Sequence, residues 1–302
     1  MKLHMSHVAA LVLVLLATSY CGAPQREGMI QVKGSDTEVN LALALAETYM
    51  ADNEQASIAV TGGGSGTGIA ALINGKTDIA NSSREIGREE LDMAKERGID
   101  PKAIIFAQDG LALVVHPSLP IDSLSLDQLA AIFSGEVTHW SELGGPNKEI
   151  SVYGRQSNSG TYLYFRDEIV KGEYGSGTKA MNGTAQIVEA IKQDPAAIGY
   201  VGIGYIADKN GVLSPGLKAL SICPNDTSVA VSPLKKSAIQ DGSYPITRPL
   251  YQYTNGKPTG TLLAFILYEL GEEGQRIVAE NGYYEINEAH KQHNASILDT
   301  LP

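Results

Sequence analysis

Blocks of apolar residues recur along the chain at two different spacings. Short runs rich in β-branched and aliphatic residues predict strands at 29–33, 57–61, 77–80, 110–115, 149–154, 197–201 and 245–253. Apolar residues at helical spacing predict helices at 39–50, 69–74, 89–97, 127–133, 162–170, 186–193 and 261–280. Because strands and helices alternate, the pattern predicts an α/β fold whose parallel sheet carries helices on both faces.

Polar loops follow several of the predicted strands. Residues 34–37, 62–68 and 82–84 follow the first three strands, and residues 155–161 follow a later one. In open α/β sheets, ligands bind beyond the carboxyl ends of the parallel strands. We therefore expect the first three loops to converge on one edge of the sheet and to form part of a ligand site.

The loop at 62–68 is rich in glycine and lies between a strand and a helix. This arrangement aims main-chain N–H groups at an anion, and Ser65 and Thr67 add hydroxyl donors. No lysine follows the glycines, so the loop is not a Walker A motif. Thr67 stands where the second glycine of a G-x-S-x-G nucleophile motif belongs. A plain tight turn is the alternative interpretation.

The four loops share donors that suit a tetrahedral oxyanion. Arg155 can give two parallel N–H bonds, and the helix starts after Gly68 and Gly160 add partial positive charge. No histidine lies in the three serine-containing loops, so a Ser–His nucleophile is not indicated. The sequence also offers no clustered histidine or cysteine metal ligands. The hydroxyl donors are Ser35, Thr37, Ser65, Ser82, Ser83, Ser159 and Thr161.

Asp36 is unexpected among anion-binding donors, because a carboxylate repels an anion. It is explained if the ligand carries a proton, as hydrogen phosphate does, since the carboxylate then accepts a hydrogen bond from it. Sulfate carries no proton near neutral pH and would leave Asp36 unsatisfied, at a cost of about 1–3 kcal/mol or more. A helix N-cap is the alternative role for Asp36.

Other candidates also have a purely structural interpretation. Turns, ion pairs at the surface and aromatic packing are the usual roles of such residues. The residues concerned are Ser82 and Ser83 as turn residues, Arg84 as a partner of Glu85 or Glu89, and Trp140, Tyr162 and Tyr164 as packing residues.

Composition limits the partners and the architecture. The chain has 302 residues, which is enough for two domains, and 43% of them are hydrophobic. A net charge of −11 argues against nucleic acid as a partner but does not exclude a small anion bound by local dipoles. With two cysteines, a disulfide framework is not expected, and Cys223 is predicted to be a small buried residue.

The N-terminal 21 residues have the pattern of a signal peptide. Lys2 supplies positive charge, and residues 8–17 form an apolar run that is too short to span a bilayer. Small residues then lead to Cys21, which resembles the lipidated cysteine of a bacterial lipoprotein. Tyr20 departs from the usual small residue before that cysteine, so cleavage by the general signal peptidase is the alternative.

Taken together, the loops give the chain a resemblance to a known family. It resembles the phosphate-binding proteins of bacterial phosphate ABC transporters, the PstS-like type II periplasmic binding proteins. The resemblance extends from residue 29 to about residue 284. The matching segments, in the order of the family, are 34–37, 61–69, 78–84, 132–140, 155–161 and 198–201.

The resemblance implies two α/β domains with mixed sheets, which close over one phosphate in the cleft between them. Domain 1 would comprise 29–112 plus 246–302 and domain 2 would comprise 113–245, with crossing strands at 110–115 and 245–253. Some relatives carry an aspartate at the position of Ser83, so the proton-acceptor role moves, by hypothesis, to Asp36. The implied phosphate ligands are Ser35, Asp36, Thr37, Ser65, Ser83, Arg155, Asn158, Ser159, Gly160 and Thr161.

The function implied by the resemblance is an extracytoplasmic receptor that binds inorganic phosphate and delivers it to membrane permease subunits. No enzymatic activity, cofactor or metal is implied. We expect a monomer, on the periplasmic side or at the cell surface, with a lipid anchor at Cys21 as its only membrane contact. A receptor for sulfate or another oxyanion, a phosphoester hydrolase and a structural protein with a degenerate site are the alternatives.

Overall fold

A computed structural model describes residues 28–299, so the predicted signal peptide and Cys21 lie outside the described residues. The strands are β1 (Met29–Gly34), β2 (Ser57–Thr61), β3 (Ile79–Ser82), β4 (Pro101–Val115), β5 (Ser123–Ser125), β6 (Ser151–Arg155), β7 (Lys179–Met181), β8 (Ala197–Gly202), β9 (Lys218–Ala219), β10 (Ser221–Cys223) and β11 (Thr247–Asn255).

Helices cover most of the chain between the strands. The α-helices are α1 (Val39–Asp52), α2 (Ser65–Ile73), α3 (Arg88–Glu96), α4 (Leu126–Ser134), α5 (Gly160–Phe165), α6 (Thr184–Gln193), α7 (Lys236–Gln240), α8 (Gly260–Leu270), α9 (Glu272–Glu280) and α10 (Glu288–Leu298). Shorter helical turns occur at Trp140–Leu143 and Ile203–Tyr205, and a π-helical turn at Arg166–Val170 continues α5.

Nine strands form one mixed sheet in the order β2-β1-β3-β11-β4-β8-β6-β7, with β9 beside β4, and β5 and β10 form a separate pair. The pairs β1/β2, β1/β3, β6/β8 and β6/β7 are parallel. In the middle of the sheet, β11 is antiparallel to both β3 and β4, and β4 is antiparallel to β8. The sheet is therefore parallel at its two ends and antiparallel where the chain crosses between them.

Two hydrophobic cores lie on either side of this crossing, and β4 contributes to both. Ile104–Ala107 pack in the core that contains β1, β3 and α1, whereas Leu111–Val115 pack in the core that contains β6, β8 and α6. We call the units around these cores the first lobe and the second lobe. Residues 101–110 of β4 pair with β11, and residues 111–115 pair with β8.

Three predicted elements differ from the structure in extent or continuity, and the sequence pattern did not predict β5, β7, β9, β10, α7 and α10. Residues 261–280 are two helices, since the backbone is extended at Gly271 and the acidic Glu272 and Glu273 begin a new first turn. The helix predicted from residue 69 begins at Ser65, inside the glycine-rich loop. The strand predicted at 110–115 begins nine residues earlier, at Pro101. Within residues 28–299, no helix is long and apolar enough to cross a membrane.

Candidate functional site

The three polar loops of the first lobe meet at the carboxyl ends of β1, β2 and β3. The Ser35 N–H donates to the Asn81 carbonyl at 2.9 Å, and the Gly64 N–H donates to the Gly34 carbonyl at 2.9 Å. The Ser83 N–H donates to Ser65 Oγ at 3.1 Å. These bonds hold the loops together because β1 pairs in parallel with both β2 and β3, which brings their carboxyl ends to the same edge.

The second lobe brings the loop after β6 to the same place. Arg155 ends β6, and Ser159 caps α5 by accepting a bond from the Tyr162 N–H at 3.4 Å. Gly160 and Thr161 form the first turn of α5 and are buried. The fourth predicted loop therefore faces the other three across the boundary between the lobes.

Four hydroxyl groups from the two lobes form one buried cluster, which we call the hydroxyl cluster. Thr37 Oγ1 lies 2.7 Å from Thr161 Oγ1, Ser83 Oγ lies 3.4 Å from Thr161 Oγ1, and Ser65 Oγ lies 3.4 Å from Ser83 Oγ. Gly160 lies against this cluster, because a Cβ at that position would be 2.3 Å from Ser65 Oγ. Any larger residue there would displace the hydroxyls.

Asp36 and Arg155 make an ion pair between the lobes beside the hydroxyl cluster. Arg155 Nη2 donates to Asp36 Oδ2 at 2.5 Å, and the Gly63 N–H donates to Asp36 Oδ1 at 2.8 Å. The N-cap of α1 is Glu38, so the alternative role of Asp36 as a helix cap does not occur in the structure. Tyr205 donates its hydroxyl to the Asp36 carbonyl at 2.6 Å.

The Arg155 side chain is held by the second lobe, and one of its three nitrogens has no partner among the described residues. Its Nη1 donates to Thr184 Oγ1 at 2.9 Å, and its Nη2 also donates to the Asn182 carbonyl at 3.0 Å. Its Nε is buried and has no hydrogen-bond partner among the described residues. A buried guanidinium with an unused N–H can accommodate another acceptor, such as an oxyanion.

Asn158 joins its loop to the glycine-rich loop. Its carbonyl accepts from the Gly66 N–H at 2.9 Å, and its Nδ2 donates to the Gly63 carbonyl at 2.9 Å and to Thr67 Oγ1 at 3.2 Å. Asn158 therefore contacts the first lobe through both its backbone and its side chain.

Ser35, the remaining predicted ligand, is buried next to the cluster and accepts a bond from the Thr37 N–H at 3.2 Å.

A second buried ion pair lies behind the hydroxyl cluster and was not predicted as part of the site. Arg248 on β11 donates to Asp109 on β4, and both side chains are almost fully buried. Burial raises the pKa of Asp109, although the Arg248 charge opposes the shift. The sequence of each segment does not mark this pair, because Asp109 precedes the predicted strand 110–115 and meets Arg248 only through the register of β4 and β11.

Glu38 lies close to both ion pairs but has no hydrogen-bond partner of its own among the described residues. It is fully buried, and neither carboxylate oxygen makes a hydrogen bond of normal geometry among the described residues. Burial raises the pKa of Glu38 well above its usual value, and the negative charges of Asp109 and Asp36 add to this effect, whereas Arg248 opposes it. Burial therefore favours the protonated, neutral form of Glu38.

Other candidates have the structural roles that the sequence left open, with one correction. Arg84 pairs through both terminal nitrogens with Glu90, at 2.7 Å each, rather than with the carboxylate of Glu85 or Glu89. The reason is that Glu90 occupies the third position of α3, where it also accepts from the Gly87 N–H. Ser82 Oγ donates to the Arg84 carbonyl within a turn.

The aromatic candidates pack rather than line the cluster. Trp140 is fully buried and donates its indole N–H to the Ala196 carbonyl at 2.9 Å. Tyr162 stacks on Tyr174 with ring centroids 4.6 Å apart. The described residues contain no group of three or more histidine, cysteine, aspartate or glutamate residues that could hold a metal ion.

Comparisons with known proteins agree with this architecture. A family model described as "PBP superfamily domain" matches residues 21–273. The phosphate-binding protein PstS of Pseudomonas aeruginosa is 32% identical over 274 residues, which cover 85% of this chain and 82% of that protein. The PstS of Bacillus subtilis is also 32% identical, over 88% of this chain and 84% of that protein.

Solved structures show the same relationship. A substrate-binding protein from Clostridium perfringens, solved with bound phosphate, aligns with a TM-score of 0.75 at 27% identity. The alignment covers 86% of this chain and 100% of that one. The α/β fold predicted from the sequence is thus confirmed as that of the type II periplasmic binding proteins. The chain belongs to the PstS family of phosphate-binding proteins within the PBP superfamily.

Proposed function

We propose that the protein captures inorganic phosphate between its two lobes and delivers it, chemically unchanged, to the permease of an ABC transporter. The hydroxyl cluster, to which both lobes contribute, is the observation that carries this proposal. A tetrahedral oxyanion needs donors from several directions, and hydroxyls with a flanking guanidinium supply them. The relatives named for phosphate binding, including one solved with bound phosphate, support the choice of ligand.

Capture requires the lobes to separate and close again. The hydroxyls of Thr37 and Thr161 contact each other, so an anion among them would replace contacts between hydroxyls by bonds from each hydroxyl to an oxygen of the ligand. We place the motion at the crossing of β4 and β11, with domain 1 comprising 29–112 plus 246–302 and domain 2 comprising 113–245. The proposed ligands are Ser35, Asp36, Thr37, Ser65, Ser83, Arg155, Asn158, Ser159, Gly160 and Thr161.

Asp36 is proposed to accept the proton of hydrogen phosphate. Each of its oxygens accepts one bond, from the Gly63 N–H or from Arg155, and a carboxylate has about four acceptor sites in all. Capacity for a hydrogen bond from the ligand therefore remains. Sulfate lacks that proton and would face the carboxylate as an unpaired acceptor, so the same residue would reject it.

The proposed setting is extracytoplasmic. Residues 1–21 would direct export, and Cys21 would carry a lipid that holds the receptor near its membrane partners. The receptor would act as a monomer, since the site is completed by two lobes of one chain. Its partners would be the permease subunits, which the open and closed lobes would present with different surfaces.

Chemical detection of phosphate tests the proposal most directly. Protein purified without phosphate in the buffers should release about one equivalent of phosphate when it is denatured, as measured by a colorimetric assay. Stripped protein should then bind phosphate, and not sulfate, in titration calorimetry. If the protein releases no phosphate and gives no heat with either anion, a structural protein is favoured. If metal-free protein hydrolyses a phosphomonoester, a hydrolase is favoured.

A further inference from the structure

Arg248 lies where the two lobes and the two crossing strands meet. It is on β11, directly opposite Asp109 of β4 in the strand register. Its side chain is 2% exposed, and the ring of Tyr164 covers it with 5.2 Å between the guanidinium carbon and the ring centroid. Arginine is almost never fully buried unless it is paired, so the partners of Arg248 indicate its role.

The guanidinium of Arg248 binds both lobes at the same time. Its Nη1 donates to the Ser83 carbonyl of the first lobe at 3.1 Å, and its Nη2 donates to Thr161 Oγ1 of the second lobe at 3.0 Å. Nε and Nη2 donate to Asp109 Oδ2 at 3.2 and 2.9 Å. The other oxygen, Asp109 Oδ1, accepts from the Ile203 N–H of the second lobe at 3.2 Å.

The bond to Thr161 has a consequence for the direction of its proton. A hydroxyl that accepts from a guanidinium N–H has its own hydrogen available for another acceptor. The neighbouring acceptors of Thr161 Oγ1 are Thr37 Oγ1 and Ser83 Oγ, which both belong to the hydroxyl cluster. Arg248 therefore turns the Thr161 proton toward the cluster. Because Asp109 offsets its charge, Arg248 contributes direction rather than net positive charge.

We infer that Arg248, fixed by Asp109, is a positioning residue of the anion site. It orients the Thr161 hydroxyl toward the bound anion and ties Thr161 to the Ser83 segment when the lobes are closed. This inference rests on the proposed function, since the anion is phosphate in that proposal. It adds a second guanidinium to the site, which acts through Thr161 and not by direct contact with the ligand.

Titration calorimetry of Arg248→Lys with phosphate tests the inference. Lysine keeps the charge but lacks the planar fork, so it cannot serve Asp109, Ser83 and Thr161 together. We expect the phosphate Kd to rise at least tenfold. Arg84→Lys is the matched control, because Arg84 and Arg248 both line a cavity of about 380 Å³, whereas Arg84 pairs with Glu90. Its Kd should stay within twofold of wild type.

A double-variant cycle separates positioning from a general structural effect. If Arg248 acts through Thr161, then Arg248→Lys should add little further loss in a Thr161→Val background. Independent losses that multiply would overturn the inference. If wild-type protein binds phosphate and Arg248→Lys binds it equally well, the positioning role is overturned but the proposed function stands. Wild-type protein that binds no phosphate would overturn the proposed function as well.

Asp109→Asn provides a second test if Arg248→Lys does not fold. Loss of a negative charge near the site would by itself tighten anion binding. Loss of the group that fixes the guanidinium should weaken it instead, because Thr161 is then no longer held in one orientation. We expect a Kd that is at least fivefold higher, and a lower Kd would contradict the positioning role.

Discussion

Two Arg–Asp pairs lie where the lobes meet, and they differ in their access to water. In the pair between Asp36 and Arg155, the carboxylate side chain is 17% exposed and the arginine 1% exposed. In the pair between Asp109 and Arg248, the values are 0% and 2%. The first pair joins loops at the edge of the cleft, whereas the second joins the adjacent strands β4 and β11.

Because of this difference, the Asp36–Arg155 pair can break and form again, whereas the Asp109–Arg248 pair should stay intact. The Asp36 carboxylate reaches solvent, so the lobes can part at that pair without leaving a charge in a dry interior. Separating the second pair would strand a buried charge, which costs about 3–5 kcal/mol. The first pair is therefore suited to open and close around a ligand, and the second to hold one geometry throughout.

Removing the Arg155 guanidinium should have the largest effect on phosphate binding. We expect Arg155→Met to weaken phosphate binding at least a hundredfold, about 3 kcal/mol, because the anion loses a charged donor and faces an unpaired Asp36. Titration calorimetry measures the change. Arg166→Met in the same lobe is the control, since Arg166 pairs with the exposed Asp167. A loss below threefold for Arg155→Met would remove this pair from the site.

The buried acid Glu269 has no arginine partner, so its effect on stability should depend on pH. Burial raises the pKa of Glu269 to about 8, and its hydrogen-bond donor is Gln252 Nε2 at 3.1 Å. The folded protein holds this proton more tightly than the unfolded chain, whose carboxyl has a pKa near 4.3. The stabilising contribution is therefore complete below about pH 4.3 and is lost as the pH rises toward 8.

Glu269→Gln should remove this pH dependence. At pH 9 we expect the variant to be more stable than wild type by several kcal/mol in urea denaturation, and the difference should shrink toward pH 5. Glu54→Gln, at an exposed position, should leave the profile unchanged. Equal slopes of stability against pH for wild type and Glu269→Gln would show that Glu269 ionises normally.

Changing the acid of the cleft pair tests selectivity rather than affinity alone. Asp36→Asn should weaken phosphate binding about tenfold, since the proton acceptor is lost, and should relax the rejection of sulfate. Paired calorimetric titrations with phosphate and sulfate compare the two anions. If the variant matches wild type for both, Asp36 does not sense the ligand's proton.

A neutral contact between the lobes should matter least. Asn158→Ala removes the bonds to the Gly63 carbonyl and Thr67 Oγ1 but no charge. We expect phosphate binding to weaken about two- to fivefold, since a neutral hydrogen bond contributes about 0.5–1.5 kcal/mol. Stopped-flow measurements should place the change in the dissociation rate, because closure is less stable. A loss as large as that of Arg155→Met would make Asn158 a principal ligand.

Much of the fold and of the cleft could be predicted because the signals are local. Strand–loop–helix patterns placed residues 34–37, 62–68 and 82–84 at strand ends, and the parallel pairing of β1, β2 and β3 brings these loops together. Arg155 stood out because an arginine after a strand, in a loop rich in serine and glycine, has few structural partners nearby in sequence. The structure indeed pairs it with residues distant in the chain.

The remainder depends on long-range pairing that no local pattern reveals. The first nine residues of β4 are a strand because they pair with β11 almost 150 residues later. Asp109 and Arg248 become neighbours through that register, so neither is identifiable as a site residue from its own segment. The break at Gly271 was missed because the apolar spacing continues across it.

The length of β4 also has a consequence for the energetics of unfolding. One uninterrupted strand supplies side chains to both hydrophobic cores, at Ile104–Ala107 and at Leu111–Val115. If either core melts, β4 loses its fixed position, and the strands that pair with β4 in the other core lose a hydrogen-bonding partner. The two halves of the molecule should therefore lose their structure in a single cooperative transition, even though the proposed capture of phosphate requires them to separate and close in the native state.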